Sequence, residues 1–85
     1  MPQRTTVVAS RIGLHARPAS LVSLAAAKAG VPVQLAAHGR SVNAASILGV
    51  LSLDVSHGDE VTVSAEDQAA VDALIELLER DLSED

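Results

Sequence analysis

Residues 31–43 read VPVQLAAHGRSVN, and the fold class turns on them. Val31, Val33, Leu35 and Ala37 alternate with Pro32, Gln34 and Ala36, the period of a strand with one buried face. The run meets a turn at His38-Gly39-Arg40, after which residues 41–43 can fold back beside it. This hairpin is the one strand pairing the sequence displays directly. Upstream, residues 16–29 are rich in Ala and Leu, admit Pro18 in a first helical turn, and stop at Gly30. Further upstream, residues 5–9 form a β-branched run and read as a strand. Downstream, Ser46 is a good N-cap for the short apolar segment 47–53, about two turns of helix, which Gly49 weakens. After the turn His57-Gly58-Asp59, Val61 and Val63 alternate with Thr62 and Ser64 as another strand. Within residues 67–82, Val71, Leu74, Ile75, Leu78 and Leu82 recur at helical spacing, with acids at the favourable N-terminal end. Asp81, Glu84 and Asp85 oppose the helix dipole and are expected to fray. The order is β-α-β-β-α-β-α, and one sheet covered on a single face by amphipathic helices buries every apolar stripe in it. This is an α+β open-faced sandwich, whose strand order beyond the hairpin stays open.

Composition narrows the function. The 85 residues suit one domain spanning 1–85, with no internal repeat or linker. Hydrophobic residues make up 48% while Phe, Tyr and Trp are absent, so the core must be a tight layer of Ala, Val, Leu and Ile. No cysteine is present, which removes disulfides and thiolate chemistry. The N-terminus lacks the apolar core of a signal peptide and no apolar run reaches the roughly 20 residues of a membrane span, so a cytoplasmic location is expected. The net charge of −5 is unevenly spread. All eleven acids follow residue 53, leaving +5 on residues 1–53, whereas Arg80 alone against those acids gives −10 on residues 54–85. A positive N-terminal half suits an anion or an acidic partner. Without a basic run or aromatic stacking residues, nucleic acid is set aside.

The positive half contains residues 13–20, GLHARPAS. Pro18 belongs in the first turn of its helix, which places His15 at or just before the N-terminus. The first N–H groups of a helix lack intrahelical partners and sit at the positive end of its dipole, so an anion held on the His15 ring would meet backbone donors. Arg17 adds a second contact. A helix terminus contributes about 0.3–1 kcal/mol toward an exposed anion and a charged hydrogen bond about 1.5–3 kcal/mol, making Arg17 the stronger contributor. A neutral imidazole there has a ring nitrogen able to attack phosphorus. The plainer reading, an exposed cap residue beside a solvated arginine, fits the spacing equally well.

GLHARPAS followed by SVNAASILGVLSL at residues 41–53 resembles the histidine-containing phosphocarrier (HPr) family of the phosphoenolpyruvate-dependent sugar phosphotransferase system. VTVSAED at residues 61–67 and the closing amphipathic helix are similar to that family too. The resemblance covers nearly the whole chain. It implies four antiparallel strands and three helices. It also implies that His15 accepts a phosphoryl group through Nδ1 from phosphorylated enzyme I and passes it to the A domains of sugar-specific enzymes II, with Arg17 stabilising the group. Such a chain is a carrier rather than a turnover enzyme, needs no cofactor, and is expected to act as a monomer. By the same resemblance Ala16, Pro18, Ser20, Leu21, Leu24, Ile47, Leu48 and Leu51 frame the histidine and meet partners, although the leucines and isoleucine also suit a ring-poor core. Ser46 matches the serine phosphorylated by HPr kinase/phosphorylase in relatives with catabolite control, while a plain N-cap explains it as well. Two alternatives stay open: a regulatory module in which Ser46 governs binding to a transcription regulator, and a carrier serving a nitrogen-regulatory or dihydroxyacetone kinase branch. Ile12 and the loss of all aromatics depart from the family, and Ile12 is expected to retune contacts near His15.

The other candidates are weaker. His38 and His57 lie in different turns with no Cys or carboxylate at ligand spacing, so no metal site is expected. Ser20, Ser23 and Ser46 lack the GxSxG elbow of a hydrolase.

Overall fold

The computed structural model describes residues 2–11 and 13–80, apart from the side chain of Ala16. The expectations for Ile12, Asp81, Leu82, Glu84 and Asp85 therefore fall outside the described residues.

The hairpin forms as its alternation demands. Strand β2 (Val33–Ala37) pairs antiparallel with β3 (Arg40–Asn43), with Leu35 opposite Val42 and Ala37 opposite Arg40. That register leaves His38 and Gly39 as a two-residue loop with φ of 54° and 77°. Positive φ at both positions defines the type I′ turn, whose twist matches that of the strands. β2 begins at Val33, two residues later than the alternation suggested, and its Val33, Leu35 and Ala37 are buried.

Strand β1 (Gln3–Val7) and strand β4 (Glu60–Ala65) complete an antiparallel sheet in the order β1-β4-β2-β3. β1 lies two residues earlier than its β-branched run at 5–9. Val8 leaves the ladder because the turn before β4 takes it over: its N–H donates to Asp59 O and its carbonyl accepts from Gly58 N. Arg4 and Thr6 face the helical layer, where Arg4 Nη1 meets Asp72 Oδ1 at 3.1 Å and Thr6 Oγ1 donates to Glu79 Oε2 at 2.8 Å. The other face is open to solvent, with the Thr5 and Thr62 hydroxyls 2.8 Å apart and Val7 exposed on the same side of β1.

Three helices cover the opposite face. Helix α1 (Ala16–Ala27) buries Ala19, Val22, Ser23 and Ala26, the i, i+3, i+4, i+7 stripe of an amphipathic helix, and its one buried hydroxyl is satisfied by donation from Ser23 Oγ to Ala44 O at 3.2 Å. It ends at the C-cap Lys28, two residues before the expected end. Helix α2 (Ile47–Ser52) starts at Ser46, whose Oγ accepts from Gly49 N at 3.1 Å. A Cβ on Gly49 would lie 3.3 Å from Val42 Cβ, so the small residue that lowers helix propensity is what lets α2 approach β3 closely. Helix α3 (Gln68–Leu78) is capped by Asp67 and buries Ala70, Val71, Leu74, Ile75 and Leu78 against β1 and β4. The core is aliphatic throughout, and each fully buried Leu or Ile contributes about 1.5–3 kcal/mol.

Candidate functional site

Two loops meet where α1 begins. Gly13 has φ of 71°, and a Cβ there would sit 2.2 Å from the carbonyl oxygen of Val55. No side chain fits, so the segment before α1 lies directly on the segment after α2. Leu14 N then donates to Val55 O at 2.9 Å, and the buried Leu14 and Val55 side chains anchor both strands of the contact.

This anchoring places His15. It is the N-cap of α1 in extended geometry (φ −114°, ψ 158°) and its side chain makes no cap hydrogen bond, so the ring is not consumed by the helix it starts. The imidazole is 44% exposed. Arg17 and Ser20 are exposed on the first turn and a half, whereas Pro18 is buried. Pro18 therefore braces the helix start from below, with most of its surface turned inward.

Sequence reasoning missed one neighbour. Asp54 Oδ1 lies 3.6 Å from His15 Nε2. Asp54 follows the C-cap Leu53 of α2, donates its N–H to Leu51 O at 3.1 Å, and has φ of 52°. Helices that end in a left-handed residue usually place glycine there; the signal in the sequence was an acid standing where such a helix stop calls for glycine.

An exposed apolar patch spans α1 and α2. Leu48 is 76% exposed, Leu24 54% and Ile47 42%, and a shallow groove of about 330 Å³ runs between α1 and α2, lined by Ser20, Ser23, Leu24, Ala27, Ala45 and Ile47. Leu21 and Leu51 instead pack partly buried against the core. Ser46 is exposed at the edge of this patch.

A histidine heading α1, an arginine on its first turn and an apolar margin on α2 are the features the resemblance placed together. The family model for the phosphorylation site of the phosphotransferase-system HPr component matches residues 2–80. The chain belongs to the HPr family. It is 45% identical over 75 residues to the phosphocarrier protein HPr of Streptomyces coelicolor, covering 87% of this chain and 81% of that one. Its structure is similar to HPr-C-His from Thermoanaerobacter tengcongensis, with a TM-score of 0.91 at 38% identity over 100% of this chain and 99% of the other. It is similar also to an HPr dimer from the same organism, with a TM-score of 0.70 at 39% identity over 93% and 94% of the two chains. As in HPr structures, a four-stranded antiparallel sheet carries three helices on one face. Among the described residues no helix is long and apolar enough to cross a membrane.

Proposed function

We propose that this HPr-family chain is a phosphocarrier whose His15 accepts a phosphoryl group at Nδ1 from phosphorylated enzyme I and delivers it to enzyme II A domains for coupled sugar uptake. The observation that carries this reading is a half-exposed imidazole at the N-terminus of α1 that does not cap the helix. The Nδ1 lone pair forms the bond to phosphorus while the donor's bond to phosphorus breaks and its electrons return to the donor. Arg17 and the first amides of α1 offset the phosphoryl charge. The chain ends each cycle unchanged, so it acts as a carrier and not as a turnover enzyme. All these groups come from one copy, so a monomer of residues 1–85 suffices. Leu24, Ile47 and Leu48 supply the docking margin, and Ser20, Leu21, Leu51 and the backbone at Ala16 frame it.

Mixing the chain with phosphoenolpyruvate and enzyme I tests this. One acid-labile phosphoryl group should appear by mass and be absent from His15→Ala; its persistence in that variant would overturn the assignment. Ser46 supports a regulatory addition. It is exposed, it caps α2, and phosphorylation by an HPr kinase/phosphorylase would place a charge of about −1.5 to −2 beside Ile47 and Leu48. Pulldowns with Ser46→Ala and Ser46→Asp should then capture different partners, transcription regulators among them; equal sets would argue against regulation through this residue.

A further inference from the structure

We infer that Asp54 is a positioning residue for phosphoryl transfer, holding the His15 proton on Nε2 and countering the positive charge that the ring acquires when Nδ1 bonds to phosphorus. The inference rests on the proposed acceptor role of His15 and extends it to a residue from another loop.

Three observations converge on Asp54. Its carboxylate faces Nε2, the ring nitrogen opposite the proposed nucleophile, at 3.6 Å. Its backbone lies in the left-handed region at φ of 52°, which glycine adopts without cost and an aspartate does not. Such strain persists where the surrounding structure enforces it, and a side chain retained at that cost is a candidate for function. Its place relative to His15 is also built into the backbone. The buried Leu53 and Val55 flank it, Val55 O accepts from Leu14 N, and Gly13 is packed too closely on Val55 for any larger residue. The carboxylate is 85% exposed, but the loop carrying it is pinned to the residue before His15.

The chemistry uses that placement. A neutral imidazole carries one proton, and only the nitrogen without it has the lone pair that attacks. At 3.6 Å the two atoms are beyond hydrogen-bond range, but a carboxylate attracts an N–H and repels a lone pair, so Asp54 favours the Nε2–H tautomer and leaves Nδ1 as the nucleophile. Once Nδ1 is bonded to phosphorus and Nε2 keeps its proton, the ring is cationic. No proton has moved. Asp54 then faces that cation, while Arg17 and the α1 amides serve the anionic phosphoryl group. On delivery the bond from Nδ1 to phosphorus breaks, its pair returns to Nδ1, and the ring leaves neutral with Nε2–H in place.

Two variants separate the parts. Asp54→Asn keeps an oxygen acceptor without charge; Asp54→Gly removes both and relieves the backbone strain, so it should fold at least as well. In ¹⁵N spectra of the unphosphorylated protein, the Nε2–H tautomer of His15 should be retained in Asp54→Asn and fall in Asp54→Gly. Rapid-quench transfer from phosphorylated enzyme I should slow by a factor of roughly 1.4 to 5 in Asp54→Asn, the range set by an exposed ion pair, and at least as much in Asp54→Gly. Wild-type rates in both variants, or a wild-type tautomer ratio in Asp54→Gly, would overturn the role of Asp54 while leaving His15 as acceptor. Failure of the unaltered protein to take up phosphate would instead remove the acceptor reading itself.

Discussion

Among the described residues two histidine–aspartate pairs stand out, and they are built differently. At the hairpin, His38 Nε2 lies 3.0 Å from Asp59 Oδ2 and Nδ1 lies 3.0 Å from the carbonyl oxygen of Leu53, so both ring nitrogens face oxygen acceptors. Asp59 also accepts from Ser56 N at 2.9 Å. His38 is thus a clip tying the β2–β3 turn to the end of α2 and to the turn before β4. At the start of α1, His15 meets Asp54 at the longer distance of 3.6 Å on one nitrogen only, and among the described residues no hydrogen bond is recorded at its other nitrogen. The surroundings differ as well: the His38 side is lined by Thr5, Arg40, Ser41, Glu60 and Thr62, whereas the helix that His15 heads carries the exposed Leu24 and packs on α2, which carries the exposed Ile47 and Leu48. A pair with both nitrogens committed holds structure, and a pair with one nitrogen in reserve can do chemistry.

The sharpest break in this comparison is to remove each ring. His15→Ala should abolish acid-labile phosphorylation outright. His38→Ala should leave phosphorylation intact and lower stability by about 0.5–1.5 kcal/mol for the lost hydrogen bonds. Mass spectrometry and urea melts on the two variants decide it, and loss of phosphate uptake in His38→Ala would erase the distinction.

Next in size is the backbone beneath each pair. Gly13 has no room for a Cβ, whereas Gly39 at φ of 77° has nothing within 4 Å of where one would lie. Gly39→Ala should therefore cost only the left-handed conformation, about 1–2 kcal/mol. Gly13→Ala adds overlap with Val55 to the same strain and should cost roughly 2–4 kcal/mol, while also disturbing the seat of His15. Equal denaturation midpoints for the two variants would show that the two loops are not locked together at Val55.

How much of this was legible follows from the range of each interaction. The hairpin was readable because alternation and a tight turn are local, and the start of α1 was readable because Pro18 admits few positions. The order β1-β4-β2-β3 was not, since β4 slots between strands distant in sequence. The β1 shift has the same origin: the adjacent Val7 and Val8 do not say which is buried, and the structure exposes Val7 while burying Val8. Arg4 and Thr6 look like solvent residues until Asp72 and Glu79 of α3 arrive above them. In the site, His15 and Arg17 were visible as neighbours on one helix start. Asp54 was invisible, because its proximity to His15 depends on the contact of Gly13 with Val55, which no periodicity encodes.

The proposed docking draws on the exposed Leu24, Ile47 and Leu48 of α1 and α2. Leu48→Asp should leave the fold within about 0.5 kcal/mol, because the side chain is 76% exposed. It should weaken association with enzyme I by about 1–2 kcal/mol, as expected where a charge replaces an apolar contact residue. A charge placed on the polar side, at Ser41, should leave association unchanged. Titration calorimetry on both variants measures the contrast, and equal affinities would mean that partners do not approach over α2.

The smallest effect concerns pH and belongs to the His38 clip. The Ser56 amide is the main cause that holds the Asp59 carboxyl below its ordinary value, with the bond from His38 adding to it. A carboxyl with a lower pKa folded than unfolded contributes stability that is complete above the unfolded value, about 3.9, and is lost as pH falls through the folded value. The unaltered protein should therefore exceed Asp59→Asn in stability at neutral pH, keep that margin down to about pH 5, and lose it progressively below about pH 4. Asp72, held low first by Gln68 and then by Arg4, titrates in the same direction, so Asp72→Asn provides a reference outside both corners. Melting temperatures measured from pH 7 to pH 3 test the assignment. A margin that stays constant through acid would mean that Asp59 does not gain its place in the clip from its charge, and the difference between the two pairs would then rest on distance and on the second nitrogen alone.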